Sequence, residues 1–392
     1  MGLIGYGILL LIIAALVALA ARRLHVPYTV GLVIAGIGLA LTHINIGLSL
    51  TPQFVLDILL PPLLFEASMN LHWKELRRDF LPIFTLSTVG VLIAAAVTSI
   101  GAKYLLGWSW EPSILFAILI AATDPVAVIA LFKDIGITGR LRLLVESESL
   151  FNDGAVAVLF ALALAWAQSQ TIALLTLSQS FVTILGGALL AGGLCSLVTI
   201  FLSRRTEDHL VETALTAITA YGSFVFAQSI GASGILATVV AGLIVGNVGV
   251  LASDTNGPLS ATGRAFVVSF WEFAAFLANS VVFLLIGLRV ATVPFASFGW
   301  TALFWIIAIT LGARALTVYP LSFIFSHSRW KIPSRDQHVL WWGGLRGALA
   351  IALALSLPQE IPMHDQIAVA AFVAVAFSVL VQGLTIPLLL KR

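Results

Sequence analysis

The stretch ESLFNDG, which begins at Glu148, places two carboxylates and an asparagine amide inside a strongly apolar part of the chain. On a helix with 100° per residue, Glu148 and Asn152 share one stripe. Ser149 and Asp153 share the neighbouring stripe, and their oxygen atoms suit a hard cation. A carboxylate at Glu148 needs a positive partner if it stays ionised, and Arg314 in LGARAL is the natural one. The pattern predicts a cation site beside a buried ion pair.

Two further segments combine charge with residues that interrupt helices. In AATDPVAV, Pro125 removes a backbone donor directly after Asp124. In WWGGLRGALA, three glycines surround Arg346. Carbonyl groups freed at the first interruption, that of Thr123 among them, can coordinate a cation. Asp124 can balance the positive ends of half-helices, and Arg346 can balance the negative ends.

The composition places these segments in a membrane. Of the 392 residues, 60% are hydrophobic and 10% are charged, whereas soluble domains contain about 25% charged residues. We therefore expect an all-α polytopic membrane protein, with about 20 apolar residues in each crossing helix. Polar, proline and glycine breaks give thirteen spans. They cover residues 3–21, 28–44, 52–69, 81–106, 113–132, 143–168, 174–202, 208–230, 233–252, 265–288, 297–325, 338–357 and 366–390.

The basic residues indicate the orientation. Most of the 20 lysines and arginines fall in alternate connections between the spans. The positive-inside rule then puts the N-terminus outside and the C-terminus in the cytoplasm. We expect a multi-pass protein of the plasma (inner) membrane and no nucleic-acid partner. The basic connections are 22–23, 74–78, 133–142, 204–205, 264, 329–335 and 391–392.

The two interrupted segments fall in spans 5 and 12, which run in opposite directions because their numbers differ by seven, an odd number. Interrupted helices of opposite direction in two halves of a chain are typical of inverted-repeat secondary transporters. Spans 4–6 and 11–13 are the predicted repeats. Glycines also serve close helix packing in membranes, so GGLRG alone leaves both interpretations open. Asp57 and Glu272 are interpreted as structural charges.

Two other functions fit parts of the sequence pattern. A monovalent cation channel also uses buried carboxylates, but it needs neither two interrupted helices nor a single titrating aspartate. The GASG segment that ends at Gly234 matches a rhomboid-type protease motif, but that chemistry needs a histidine base inside a later span. His327 and His338 lie at span ends. No zinc or nucleotide motif occurs, so we predict a transporter and not an enzyme.

The segments ATDPVAV, ESLFNDG, FLLIGL, GARA and GGLRGALA together resemble the monovalent cation/proton antiporters of the NhaP and NHE type, over essentially the whole chain. The resemblance implies exchange of Na⁺, often Li⁺ and sometimes K⁺, for H⁺. It implies that Asp153 binds cation and proton alternately. Ser149, the Thr123 carbonyl and Glu66 would complete the cation site. Asn152 would tie span 6 to the interrupted span 5.

The same resemblance implies a buried Glu148–Arg314 ion pair and a homodimer in the lipid bilayer. A mobile six-helix core would move against a dimerisation domain. The Asn-Asp pair would make the exchange electroneutral, and no cofactor is expected beyond the transported ions. The predicted domains are a transport bundle at 81–168 and 297–390, a scaffold at 1–69 and 174–252, and a linker helix at 265–288.

Two features depart from the family pattern. We expect no long cytoplasmic tail and no soluble C-terminal domain. Glu146 adds a carboxylate two turns from Asp153, towards the cytoplasm. Our hypothesis is that Glu146 draws cations into a cytoplasmic funnel. Cation selectivity stays open, with a K⁺-selective K⁺/H⁺ antiporter as an alternative.

Overall fold

The structure is a computed structural model that describes residues 3–24, 26–42, 51–169, 174–252, 257–293 and 298–390. These ranges contain helices, turns and bends, and no strand. A helix satisfies all its backbone hydrogen bonds internally, which a bilayer requires because the hydrocarbon offers none. The predicted all-α fold is confirmed.

The first half of the chain forms nine helices up to residue 169, and two π-helical segments lie among them. The π-helical segments are Phe54–Leu59 and Thr85–Val89. The helices are α1 (Leu3–Leu24), α2 (Tyr28–Leu41), α3 (Leu60–Met69), α4 (Trp73–Arg78), α5 (Phe80–Phe84), α6 (Gly90–Leu105), α7 (Trp110–Leu119), α8 (Val126–Ile135) and α9 (Arg140–Ser169).

The second half continues with helices of similar composition, again with two π-helical segments, Gly246–Val250 and Ser378–Gln382. The helices are α10 (Leu174–Ser203), α11 (His209–Ser229), α12 (Gly234–Val245), α13 (Ala261–Thr292), α14 (Trp300–Ile324), α15 (Ser334–Trp342), α16 (Ala348–Leu355), α17 (His364–Phe377) and α18 (Gly383–Leu390).

Seven helices in the described part of the chain are long and apolar enough to cross a membrane. Shorter apolar helical stretches occur at Ile8–Ala21 within α1, at Tyr28–Leu41, at Trp110–Leu119, and at Gly234–Val250, which joins α12 to the π-helical segment after it. The predicted multi-pass character is therefore confirmed. The number of thirteen crossings stays a prediction, because length and composition qualify only some of the spans.

Two spans are interrupted where the sequence predicts it. Helix α7 ends at Leu119, and α8 begins after Pro125, whose ring nitrogen has no hydrogen to donate. Helix α15 ends at Trp342, and α16 begins at Ala348 after the glycine-rich segment 343–347. The two discontinuous helices of the predicted fold are confirmed.

Contacts divide the chain into two compact units. The first comprises Met1–Val55, Leu81–Val156 and Asn279–Arg392, and it contains both interrupted helices. Its helices α6 and α14 cross closely, because Gly90 leaves room for Thr317, whose hydroxyl donates to the Gly90 carbonyl at 3.3 Å. Small residues allow such close crossings in membranes.

The second unit comprises Leu56–Phe80 and Ala157–Ala278. In its core the rings of Phe65 and Trp271 lie 4.6 Å apart, centre to centre. The Trp271 indole donates to the Thr216 hydroxyl at 3.0 Å, as a buried indole must. The assignment of transport and dimerisation roles to separate bundles stays a prediction.

Candidate functional site

The first interruption is tied to α9 at a single residue, Thr123. Its backbone N–H donates to Asn152 Oδ1 at 3.2 Å, and Asn152 Nδ2 donates to the Thr123 hydroxyl at 2.6 Å. The Ser149 hydroxyl donates to the Thr123 carbonyl. All three side chains are buried. The structure therefore brings together the non-helical backbone and both polar stripes of α9.

Glu148 forms a buried ion pair in which both of its carboxylate oxygens accept hydrogen bonds from Arg314. Arg314 donates from Nη1 to Oε1 at 2.8 Å and from Nη2 to Oε2 at 3.0 Å. Asn152 Nδ2 adds a bond to Oε1 at 3.2 Å. Only 3% of Glu148 and 6% of Arg314 is exposed. A bidentate pair in such burial holds two charges in one geometry.

Asp153 lies one turn beyond Ser149 on the same stripe, in a different environment. Its Oδ1 is buried, and it is the one buried carboxylate oxygen in the described residues without a hydrogen-bond partner. Buried polar atoms are almost always bonded. A proton or a cation on Asp153 would remove the cost of this arrangement.

Each interruption contributes one charged side chain that contacts a helix end at the other interruption. Arg346, in the second, donates from Nη1 to the carbonyls of Ala121 and Ala122 at 2.8 and 3.1 Å. These carbonyls directly follow the C-terminal end of α7, where the helix dipole favours a positive charge. The structure places the Arg346 guanidinium beside the C-terminal end of α7, and its role in balancing the helix dipole stays a prediction.

Asp124, in the first interruption, occupies the complementary position. Its Oδ1 accepts from the N–H of Val126 at 3.0 Å, and its carboxylate accepts a further backbone bond from Ala348. Both donors lie at the first residue of a half-helix, where the dipole favours a negative charge. The Asp124 N–H donates to the Leu345 carbonyl at 2.7 Å.

Two glycines of the second interruption allow these approaches. A Cβ at Gly347 would lie 2.1 Å from Asp124 Oδ2, and a Cβ at Gly344 would lie 2.5 Å from Arg314 Nε. Any side chain at either position would displace a charged partner. Between the interruptions lies a cavity of about 10 Å³, room for about one water molecule. Thr123, Asp124, Glu148, Ser149, Arg314 and Gly343 are among its lining residues.

A family model described as "Sodium/hydrogen exchanger, transmembrane" matches residues 8–392. The chain belongs to the sodium/hydrogen exchanger family. The resemblance inferred from the sequence motifs is thereby confirmed.

Curated relatives of this exchanger cover nearly its whole length. It is 38% identical to the Na⁺/H⁺ antiporter ApNhaP of Aphanothece halophytica, over 97% of this chain and 72% of the relative. It is 36% identical to the Na⁺/H⁺ antiporter NhaG of Bacillus atrophaeus, over 98% of this chain and 74% of the relative. The sodium proton antiporter MjNhaP1 of Methanocaldococcus jannaschii has the same fold. Its structure at pH 8 aligns with TM-score 0.79 and 20% identity, over 99% of this chain and 98% of that one.

Three further residues that the sequence marks, Glu66, Glu146 and Asp57, have contacts of their own in the structure. Glu66 lies in the second unit, where Asn70 Nδ2 donates to its Oε1 at 2.8 Å, and its part in a cation site stays a prediction. Glu146 pairs with Arg142 at 3.5 Å. Asp57 accepts a bond from Gln228 at 3.4 Å, and the roles of all these residues stay predictions.

Sequence reasoning missed three partners of the exchanger site. The Leu340 carbonyl accepts from Arg314 Nε at 3.2 Å and Nη2 at 3.0 Å, and no sequence signal marks a backbone carbonyl. Ser378 and Gln382 bind the second interruption. Their signal was available: they are polar residues four apart in an otherwise apolar span.

Proposed function

We propose that this protein is a secondary active antiporter that exchanges Na⁺ for H⁺ across a membrane. One observation carries the proposal. Asp153 Oδ1 has no hydrogen-bond partner among the described residues, beside a helix interruption whose other charges are compensated. The names of the two curated relatives reported above, both Na⁺/H⁺ antiporters, support the choice of ions.

The exchange follows from competition at one carboxylate. Burial in a medium of low dielectric disfavours the charged form of Asp153. Either a proton or a cation neutralises it, but both cannot occupy it together. An empty, ionised site is costly to carry across the hydrocarbon region. The site therefore turns from one side of the membrane to the other only when a proton or a cation occupies it. This rule couples the two ion gradients without a chemical energy source, and we propose no cofactor.

The cation ligands are oxygen atoms around Asp153. Ser149 contributes its hydroxyl and Thr123 its carbonyl, which already contact each other. Both can turn a lone pair to a hard cation, for which oxygen is the preferred ligand. Resemblance to the antiporter family supports Glu66 as a further ligand. Asn152 fixes Thr123, because it bonds to both the N–H and the hydroxyl of that residue.

Electroneutral exchange is part of this proposal, and the fixed charges of the site support it. Arg314 compensates Glu148 through two short bonds. Asp124 and Arg346 compensate helix ends. Only Asp153 then changes its ligand during the cycle, so one Na⁺ replaces one H⁺ and no net charge moves.

We also propose the setting of this activity. The protein lies in the plasma membrane with its N-terminus outside and its C-terminus in the cytoplasm, as the basic connections favour. It works as a homodimer in the bilayer and contributes to pH homeostasis. The transport bundle comprises 81–168 and 297–390, and the scaffold comprises 1–69 and 174–252. Glu146 draws cations towards the site from the cytoplasm.

The test uses purified protein in liposomes with an acidic interior and a pH-sensitive dye. Na⁺, Li⁺ or K⁺ is added outside, and dequenching reports exchange. Wild type is compared with Asp153→Asn and with the matched control Asp57→Asn, which changes an exposed carboxylate. We expect wild type and the control to exchange and Asp153→Asn to be silent. The rank of the three cations identifies the substrate and tests the K⁺/H⁺ alternative.

Two outcomes would contradict the proposal. Full exchange by Asp153→Asn would remove the titrating residue from its role. Cation flux without coupled proton movement, in folded wild-type protein, would indicate a channel instead.

A further inference from the structure

Two buried polar residues of the last span contact the second interruption but are not among the proposed cation ligands. Ser378 is 1% exposed and Gln382 is 4% exposed, and apolar residues surround them in the sequence. They are the first and last residues of the π-helical segment Ser378–Gln382, between α17 and α18. Single π-helical turns inside membrane or soluble helices occur often at functional sites.

The pair binds both ends of the second interruption. The Arg346 N–H donates to Ser378 Oγ at 2.9 Å. The Ser378 hydroxyl donates to Gln382 Oε1 at 2.6 Å. Gln382 Nε2 donates to the Trp342 carbonyl at 3.0 Å. Trp342 is the last residue of α15, and Arg346 lies two residues before α16. One relay therefore satisfies backbone groups on each side of the non-helical segment.

The direction of the relay is fixed by its chemistry. The Trp342 carbonyl can only accept, so the Gln382 amide must present its nitrogen there and its oxygen to Ser378. The Arg346 N–H can only donate, so the Ser378 hydroxyl must accept from it and donate onward. An apolar residue at either position breaks the relay and leaves a buried backbone group without a partner.

We propose that Ser378 and Gln382 are positioning residues for the cation site. The proposal rests on the function proposed above. Ser378 holds the Arg346 backbone, and the Arg346 guanidinium holds the Ala121 and Ala122 carbonyls. The next residue is Thr123, whose carbonyl is a proposed cation ligand. The relay thus sets the position of a ligand that neither of its members touches.

The experiment measures the apparent KM for the transported cation and the maximal rate, in liposomes with equal amounts of folded protein. The variants are Gln382→Met, Ser378→Ala and the double variant. We expect each single variant to raise the apparent KM about tenfold, the effect of one buried hydrogen bond left unmade. The double variant should add little, because both residues act in one chain of contacts.

Two controls separate positioning from general loss of structure. Thr385→Val removes the acceptor of the Trp342 indole, at 2.8 Å, and leaves the interruption backbone untouched, so its KM should stay at the wild-type value. Ser378→Thr keeps the hydroxyl, so its apparent KM should stay near the wild-type value. Thermal unfolding in detergent identifies any variant that does not fold, and Ser378→Ala removes the least volume.

The outcomes distinguish this inference from the proposed function. If wild type and Thr385→Val exchange cations normally and the relay variants keep the wild-type KM, positioning is wrong and the antiporter stands. Equal losses in rate for relay variants and Thr385→Val, with KM unchanged, would also overturn positioning. If wild type itself exchanges no cation, the proposed function fails first.

Discussion

Two carboxylates little more than one turn apart on α9 have opposite surroundings. Glu148 receives two bonds from Arg314 and one from Asn152. Asp153 has a buried Oδ1 without a partner among the described residues. The same functional group on the same helix is therefore a fixed structural charge at one position and is open to a ligand at the other.

Helix periodicity decides which neighbour each carboxylate meets. Glu148 meets Arg314 of α14, and Asn152 on the same stripe bonds to Thr123 in the first interruption. The Asp153 stripe carries Ser149, which bonds to the first interruption. The hydrogen bonds of Glu148 hold that side chain in place, whereas Oδ1 of Asp153, which has no hydrogen-bond partner in the described residues, can bind a proton or a cation. Four predictions test whether the two carboxylates differ in this way.

The largest effect is expected for Asp153→Asn compared with Glu148→Gln. Asp153→Asn should abolish exchange without lowering thermal stability, because it removes a buried charge whose Oδ1 has no hydrogen-bond partner in the described residues and leaves the side-chain volume almost unchanged. Glu148→Gln should lower stability, because it leaves Arg314 buried without a counter-charge. Proton flux and unfolding temperature, measured together, check both. Equal stability losses in the two variants would remove the distinction between the carboxylates.

Arg314→Ala should destabilise the fold by about 3–5 kcal/mol, because it strands Glu148 in the interior. Arg289→Ala is the control, since Arg289 is exposed at the end of α13 and should change stability by less than about 0.5 kcal/mol. Denaturant unfolding in detergent measures both values. Similar values for the two variants would show that the buried pair adds no stability.

Gly344→Ala should cost about 1–3 kcal/mol, because its Cβ would lie 2.5 Å from Arg314 Nε and push the guanidinium from Glu148. Gly312→Ala, on the same helix as Arg314, is the matched control. A Cβ there meets nothing within 4 Å, and alanine favours a helix. The difference in unfolding temperature between these two variants tests whether close approach, rather than glycine content, matters.

The smallest effect is expected for Glu146→Gln. Loss of its charge should raise the apparent cation KM about two- to threefold at low ionic strength, and salt should screen the effect. Arg142→Gln should lower the KM, since Arg142 lies 3.5 Å from Glu146 and offsets its charge. An unchanged KM for Glu146→Gln at low salt would contradict the funnel hypothesis.

Much of the candidate site was predictable because it depends on local rules. Pro125 cannot donate a helical hydrogen bond, so the first interruption follows from its residue type. The four-residue spacing of Ser149 and Asp153 puts them on one stripe of any helix. The Leu340 carbonyl was not predictable, because every residue carries the same backbone group. The length of each crossing was also harder to predict, since π-helical and broken segments shorten the regular helices.

The sequence by itself determined that this is a helical membrane protein, where its helices are interrupted, and which charges lie inside it. Those properties depend on apolar length, on proline and glycine chemistry, and on helix periodicity. The tertiary structure alone shows that both Nη atoms of Arg314 bond to Glu148, that Ser378 and Gln382 hold the second interruption, and that Asp153 Oδ1 has no hydrogen-bond partner in the described residues. Pairing between distant segments depends on which surfaces pack together, and a one-dimensional pattern contains no distances.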